Sequence, residues 1–241
     1  MNPLPYLKSL GIKDRSKVDW SSYPFSIPSV KKLQSLHFHK NVTFFVGENG
    51  SGKSTILEAI ALALGFSEEG GTKNVRLDTA STASELSAHI KLIRSYAKPG
   101  DGYFLRAESF YNVASYMDEV GYLDGYGGKS IHAKSHGEAF MDLMTYKFRG
   151  NGLYLLDEPE AALSPSRILA ALYAIDSLVK ENAQFIIATH SPILLAYPNA
   201  KILQFSDSGI TEVNYEHTEH FRITKDFLNN YEHRISQLLD Q

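Results

Sequence analysis

Cysteine is absent from this chain of 241 residues. Disulfides, thiolate metal sites and cysteine nucleophiles are therefore excluded, and the absence fits a reducing compartment. A basic excess is missing as well. Lys and Arg number 24 against 27 Asp and Glu, the net charge is −3, and no run of Lys and Arg breaks that balance. No global positive field advertises nucleic acid, although a local patch stays open. No apolar stretch reaches the roughly 20 residues a membrane span needs. The opening MNPLPYLKSL lacks the basic and long apolar parts of a signal peptide. The expectation is a cytoplasmic protein whose only route to a membrane is through another chain. Repeats and low-complexity segments are also lacking. What is present is ordinary for a globular protein: 43% hydrophobic and 21% charged residues, enough to bury a core in one domain over 1–241.

Local patterning suggests alternating strands and helices. Residues 1–24 read as irregular, with Pro3, Pro5 and Pro24 as breakers. Residues 25–46 alternate apolar and polar positions and end in the strand-forming run VTFFV. GENGSGKST follows, then ILEAIALAL, in which Ile56, Leu57, Ile60 and Leu64 share one helical face and Gly65 sits at the cap. One helix is expected around 83–97, ended by Pro99, and then a strand at GYFLRAESF. Residues 121–130 hold four glycines and read as a mobile loop. A helix is expected from about 137 to 148, its Phe140, Met141, Met144 and Phe148 facing a core. GLYLLDEP reads as a buried strand, and Ser164 and Pro165 as the start of a helix carrying Ile168, Leu172, Ile175 and Val179. QFIIATH and AKILQF are two more strands, and 216–241 is helical near its end. This order implies an α/β fold with a mainly parallel sheet covered on both faces.

Four short segments carry chemistry. Gly47, Gly52, Lys53 and Ser54 fit G-x-x-x-x-G-K-[ST] between a strand and a helix. In such a loop, Gly47, Asn49, Gly50, Ser51, Gly52 and Thr55 turn backbone N–H groups toward phosphate oxygens. Lys53 neutralises the β- and γ-phosphates of ATP, and the Ser54 hydroxyl serves Mg²⁺. Asp157 and Glu158 stand at the tip of an apolar strand, where ligands of doubly wound sheets sit. Asp157 is suited to hold Mg²⁺, through water, and Glu158 to activate the attacking water. A bland alternative is a pair of acids opening a turn before Pro159. SHGE begins a helix at Ser135, and the Ser135 and Gly137 groups at that terminus form an anion site. Ser135 with Glu138 also makes a good capping box, and both readings can hold together. His190 closes QFIIAT at the ligand edge, where a histidine can sense a γ-phosphate, although a lone histidine is more often structural. The remaining histidines show no metal spacing, and His37 and His39 read as solvated.

In their order, GENGSGKST, SHGE, LYLLDEPEAALSP and ATHSP resemble the ABC ATPase superfamily over about residues 25–205. GENGSGKST looks like its Walker A segment, SHGE its signature, LYLLDE its Walker B, EAALSP its D-loop and ATH its switch histidine. The flavour is that of the branch with chromosome-maintenance (SMC-type), RecF-like and OLD-like ATPases, and of small stand-alone bacterial and phage ATPases. That resemblance implies a P-loop fold with an N-terminal antiparallel β portion, a helical or loop insertion about 66–136 and an extension at 206–241. It implies that ATP is sandwiched in a head-to-tail homodimer, Ser135 of one chain capping the γ-phosphate held by Lys53 of the other. Relatives act on nucleic acid or an effector protein, in genome defence or repair. The alternative is the nucleotide-binding subunit of an ABC transporter. Three departures stand out. His136 replaces the usual signature glycine and Glu138 the usual glutamine. No glutamine occurs between Ser54 and Ser135, so Glu108 and Ser109 are the candidates for the Q-loop position. The interval from Gly65 to Ser135 is too short for a long coiled coil. Tyr23 or Phe25 could stack on adenine, with core packing as the equal alternative.

Overall fold

The computed structural model describes residues 4–73, 85–110, 115 and 135–239. Its larger sheet has the order β5-β6-β7-β3-β8-β9. The strands are β3 (Val42–Val46), β5 (Asp101–Arg106), β6 (Gly152–Asp157), β7 (Gln184–Ala188), β8 (Lys201–Ser206) and β9 (Gly209–Val213). All neighbours run parallel except β8 and β9. Parallel sheets are buried on both faces, and these strands read as continuous apolar runs for that reason. Phe44, Tyr154, Leu156 and Ile187 point into one core; Phe45, Leu155, Ile186 and Leu203 point into the other. Truncating one such Phe to Ala costs about 3–5 kcal/mol.

The second core is closed by α2 (Lys53–Leu64) and a small antiparallel sheet of order β2-β1-β4. That sheet contains β1 (Leu7–Ile12), β2 (Ser35–His37) and β4 (Ile90–Arg94). The first core lies under α4 (His136–Asp142), a π turn at Leu143–Lys147, and α5 (Pro165–Lys180). Short helices α1 (Pro28–Lys31), α3 (Glu85–His89) and α6 (Pro192–Leu195) fill connections, and α7 (Glu219–Asn229) and α8 (Tyr231–Leu239) end the described chain. No helix among the described residues is long and apolar enough to cross a membrane.

Several local expectations need correction. The irregular N-terminal stretch contains β1, because Leu7 and Leu10 find an apolar partner surface in the core over α2 and the prolines lie outside the strand. The strand run VTFFV is β3 as expected, but the alternating stretch ahead of it holds a helical turn and the short strand β2. Pro28 opens a helical turn, and the Ser29 hydroxyl donates to the Ser51 carbonyl, so this segment braces the phosphate loop. The helix expected at 83–97 is α3 followed by β4, since IKLIR pairs with β1 from Ile12 back to Leu7. The helix near 137–148 is α4 with a π continuation. β9 has no strong sequence signal and forms by pairing with β8. His39 is half-buried rather than solvated, and burial lowers its imidazole pKa. The glycine-rich stretch 121–130 lies outside the described residues.

One side chain joins the two sheets. Gln184, fully buried at the start of β7, accepts from the Leu7 N–H at 2.9 Å and donates to the Leu7 carbonyl at 2.9 Å and the His39 carbonyl at 3.0 Å. Register does the rest for the site. Arg106 pairs with Asp157, Asp157 with Ala188, and Ala188 with Phe45. The parallel strands β3, β5, β6 and β7 thus end level with one another at one edge of the sheet.

Candidate nucleotide site

Gly47 and Gly52 shape the loop that leaves β3. Gly47 has φ 142° and Gly52 φ 98°, a region L side chains rarely adopt. A Cβ at Gly47 would overlap the Phe205 carbonyl oxygen, and one at Gly52 would lie 2.7 Å from the Ser29 hydroxyl. The crest of the loop, Glu48, Asn49 and Gly50, is exposed, Ser51 is half-buried, and Ser54 and Thr55 open α2. Lys53 curls beneath the crest. Its Nζ donates to the carbonyls of Gly47 at 2.7 Å and Glu48 at 3.0 Å, and the residue is only 4% exposed. Burial lowers its pKa, while the carboxylates of Glu158, Asp157 and Glu48 work in the other direction.

The acidic tip of β6 meets this loop. Ser54 Oγ donates to Asp157 Oδ1 at 2.9 Å. Burial pushes the Asp157 carboxyl up to about 6, against the Ser54 hydrogen bond and the nearby Arg106. Glu158 sits at φ 50°, ψ 51°, and its N–H donates to the Ala188 carbonyl at 2.9 Å. A non-glycine residue in that left-handed region marks local strain, which collects at functional positions. Its half-exposed carboxylate comes within 3.6 Å of His190 Nε2. The His190 N–H donates to Glu160 Oε1 at 2.5 Å, and burial raises the Glu160 pKa.

Among the described residues, three buried side-chain atoms have no hydrogen-bond partner: Ser51 Oγ, Glu160 Oε2 and His190 Nε2. All three lie around the phosphate loop and the β6–β7 edge. Buried polar groups are nearly always paired, so their clustering marks a place built for a ligand. A cavity of about 250 Å³ opens at the ends of β5 and β6, lined by Ser54, Arg106, Glu108, His136, Asp157 and Glu158. Ser54 and Asp157 offer hard oxygen donors, the set a magnesium ion prefers.

The residues of SHGE group differently. The Ser135 N–H donates to Glu138 Oε2 at 2.9 Å and the Glu138 N–H to Ser135 Oγ at 3.4 Å, a full capping box, and Ser135 Oγ also donates to Glu138 Oε2 at 2.7 Å. Arg167 Nη1 reaches Ser135 Oγ at 3.1 Å and its Nη2 reaches Glu138 Oε1 at 3.3 Å. A Cβ on Gly137 would strike Arg167 and the Ala162 carbonyl. Ser135, Gly137 and Glu138 thus gather around Arg167 rather than around Lys53.

Other expectations sort out by burial. Phe25 is core, edge-on to Trp20 and His89, whereas Tyr23 is 72% exposed. Glu108 lines the cavity, and the Ser109 hydroxyl donates to the Glu69 carbonyl at 2.8 Å. Two residues at the site are not among the candidates that the sequence offers. Arg106, at the end of β5, pairs with Glu58 of α2 at 3.3 Å and flanks Asp157. His220, on α7, touches His190. Arg106 opens RAESF, a segment that shares the family resemblance but names no role for it, and His220 lies in no motif; strand register and the path of the C-terminal chain bring them in.

Fold and site together define an α/β P-loop nucleotide-hydrolysing protein. Residues 22–116 match the family described as "AAA domain", and residues 139–196 match that described as "AAA domain, putative AbiEii toxin, Type IV TA system". The first match contains the phosphate loop; the second contains Asp157, Glu158 and His190. In these two segments the chain is similar to AAA-domain proteins. It is 27% identical over 211 residues, 79% of each sequence, to a protein of Pyrococcus furiosus described as a "putative ABC transporter ATP-binding protein". Similar solved structures include cbiO1 from Clostridium perfringens, part of the transporter complex cbiONQ, at 19% identity, 87% and 92% coverage and a TM-score of 0.46. The SMC head domain from Thermotoga maritima is 16% identical, with 86% and 98% coverage and a TM-score of 0.45. Likeness at that level bears on neither function nor partner.

Proposed function

We propose that this ATPase is a stand-alone, nucleotide-gated switch that closes as a head-to-tail dimer on nucleic acid or on an effector protein. The observation that carries the chemistry is the Ser54 Oγ–Asp157 Oδ1 contact of 2.9 Å at the mouth of the phosphate loop. In this reading Gly47, Asn49, Gly50, Ser51, Gly52 and Thr55 wrap the phosphates, and Lys53 exchanges its two loop carbonyls for phosphate oxygens. Ser54 and Asp157 would hold Mg²⁺, which when bound neutralises charge on the phosphates. Glu158 orients and deprotonates the attacking water, with its strained backbone aiming the carboxylate away from the strand. His190 Nε2, unpartnered and 3.6 Å from Glu158, is placed to sense the γ-phosphate.

Ser135 and Glu138 contact Arg167 rather than Lys53 in their own chain. Their capping box and Arg167 clamp support a preformed helix terminus offered to the partner's nucleotide. The family description that mentions a toxin–antitoxin system is compatible with a role in genome defence. A second reading, the nucleotide-binding subunit of a transporter, is favoured by the description of the Pyrococcus furiosus relative. A Glu158→Gln variant decides between them. It keeps the shape of the side chain and loses its basicity, so turnover should fall by about 10²–10⁴-fold while ATP stays bound. Affinity capture of that variant in Mg-ATP, compared with ADP, should enrich nucleic acid or a water-soluble protein. Enrichment of a membrane-spanning subunit would replace the switch reading with the transporter reading.

A further inference from the structure

The switch histidine is not alone. His190 Nδ1 lies 2.9 Å from His220 Nε2, with the two ring centroids 5.1 Å apart and inclined at 55°. His220 is contributed by α7, which lies beyond the last strand of the sheet and carries no residue of the four motifs. The start of α7 is anchored. Thr218, fully buried, accepts from the Phe221 N–H at 3.3 Å and donates to the Tyr215 carbonyl at 2.7 Å. The Tyr215 hydroxyl in turn donates to the Pro192 carbonyl at 2.9 Å, two residues past His190. The His220 ring is thus held on the same frame as the ring it touches.

A hydrogen bond between two imidazoles needs one N–H and one lone pair. Both rings are disfavoured as cations. Burial is the leading cause for each, followed by Lys53 for His190, and by His190 and then Lys53 for His220. Two neutral arrangements remain. In one, His220 Nε2–H donates to His190 Nδ1, so the proton of His190 sits on Nε2. In the other, His190 donates from Nδ1 and turns a bare Nε2 lone pair toward the Glu158 carboxylate at 3.6 Å. Two electron-rich groups then face each other, and no donor remains for a phosphate oxygen. The first arrangement removes that repulsion.

We propose that His220 is a positioning residue, which donates to His190 Nδ1 and so holds His190 as the Nε2–H tautomer, its N–H turned toward the Glu158 carboxylate and available as a hydrogen-bond donor to the γ-phosphate of ATP. This rests on the reading of His190 given above. His220 plays toward His190 the part that outer partners play toward histidines in metal and catalytic sites: it sets the tautomer and the ring angle. It also links the C-terminal helices to the hydrolytic edge of the sheet.

Long-range ¹H–¹⁵N spectra of the full chain, labelled at histidine, read the tautomer directly, with the His190 signals identified by their loss in His190→Ala. Wild type is expected to show His190 protonated at Nε2 and unprotonated at Nδ1. In His220→Leu that preference should weaken. In His220→Gln, whose amide can donate to Nδ1, it should return. In turnover assays His220→Leu should lower kcat by about 10–100-fold with KM for ATP little changed, and His220→Gln should recover most of the loss. A wild-type spectrum with His190 protonated at Nδ1 overturns the proposal whatever the variants do. So does a folded His220→Leu with wild-type kcat when His190→Ala is impaired. Full turnover by His190→Ala would instead overturn the role given to His190 itself.

Discussion

Lys53 illustrates how much one side chain at the site is asked to do. It is buried, it carries a charge, and its Nζ donates to two loop carbonyls. Those bonds hold the ammonium in place without neutralising it, so a polyphosphate is a better partner than the loop itself. Lys53→Ala removes charge-assisted contacts of about 1.5–3 kcal/mol, or roughly a tenfold to hundredfold loss of ATP affinity. Isothermal calorimetry with Mg-ATP measures it, and unchanged affinity would remove the phosphate-loop assignment. Glu158 is the complementary case. Its backbone strain is tolerated because Pro159 and the Ala188 carbonyl define the turn on either side. Both residues are legible in the amino-acid sequence, since their motifs are local. Arg106 and His220 are not, since their neighbours at the site lie far away in the chain.

At the level of elements, parallel strands deliver the site and Gln184 locks the antiparallel sheet to them. Its side chain satisfies one N–H and two carbonyls that have been taken out of water. Gln184→Leu keeps similar volume and strands all three groups. At about 1 kcal/mol for each net hydrogen bond, the loss should be about 3 kcal/mol or more. Urea unfolding followed by circular dichroism should show a lower midpoint at an unchanged slope. A variant as stable as wild type would mean that the two sheets are joined by apolar packing alone. This junction explains why the small sheet is hard to read from sequence. β1 and β4 have weak patterns of their own and become strands because each supplies the other's missing edge. In the same way, IKLIR reads as the end of a helix until β1 is laid beside it.

On the scale of the whole molecule, the phosphate loop, Asp157, Glu158 and His190 converge within one chain, while Ser135 is turned toward Arg167. A site shared between two chains follows from the proposed dimer and is open to complementation. Ser135→Arg should leave ATP binding to the monomer intact and block turnover, since a bulky side chain prevents closure over the γ-phosphate. Mixed with Lys53→Ala, it should recover part of the ATPase activity, because a mixed dimer contains one site with an intact Lys53 and an intact Ser135. Circular dichroism must show both variants folded. Wild-type turnover by Ser135→Arg alone would end the sandwich. By itself, the sequence determined the α/β class, the phosphate loop, the acidic strand tip and the capping box at Ser135. Those features depend on backbone conformation and side-chain spacing within a few residues. Only the tertiary structure decided that β1 and β4 are strands, that Phe25 is core, that Arg106 flanks Asp157 and that His220 touches His190. Each of these requires segments far apart in the chain to meet, and apolar burial and strand register set that meeting across the whole fold.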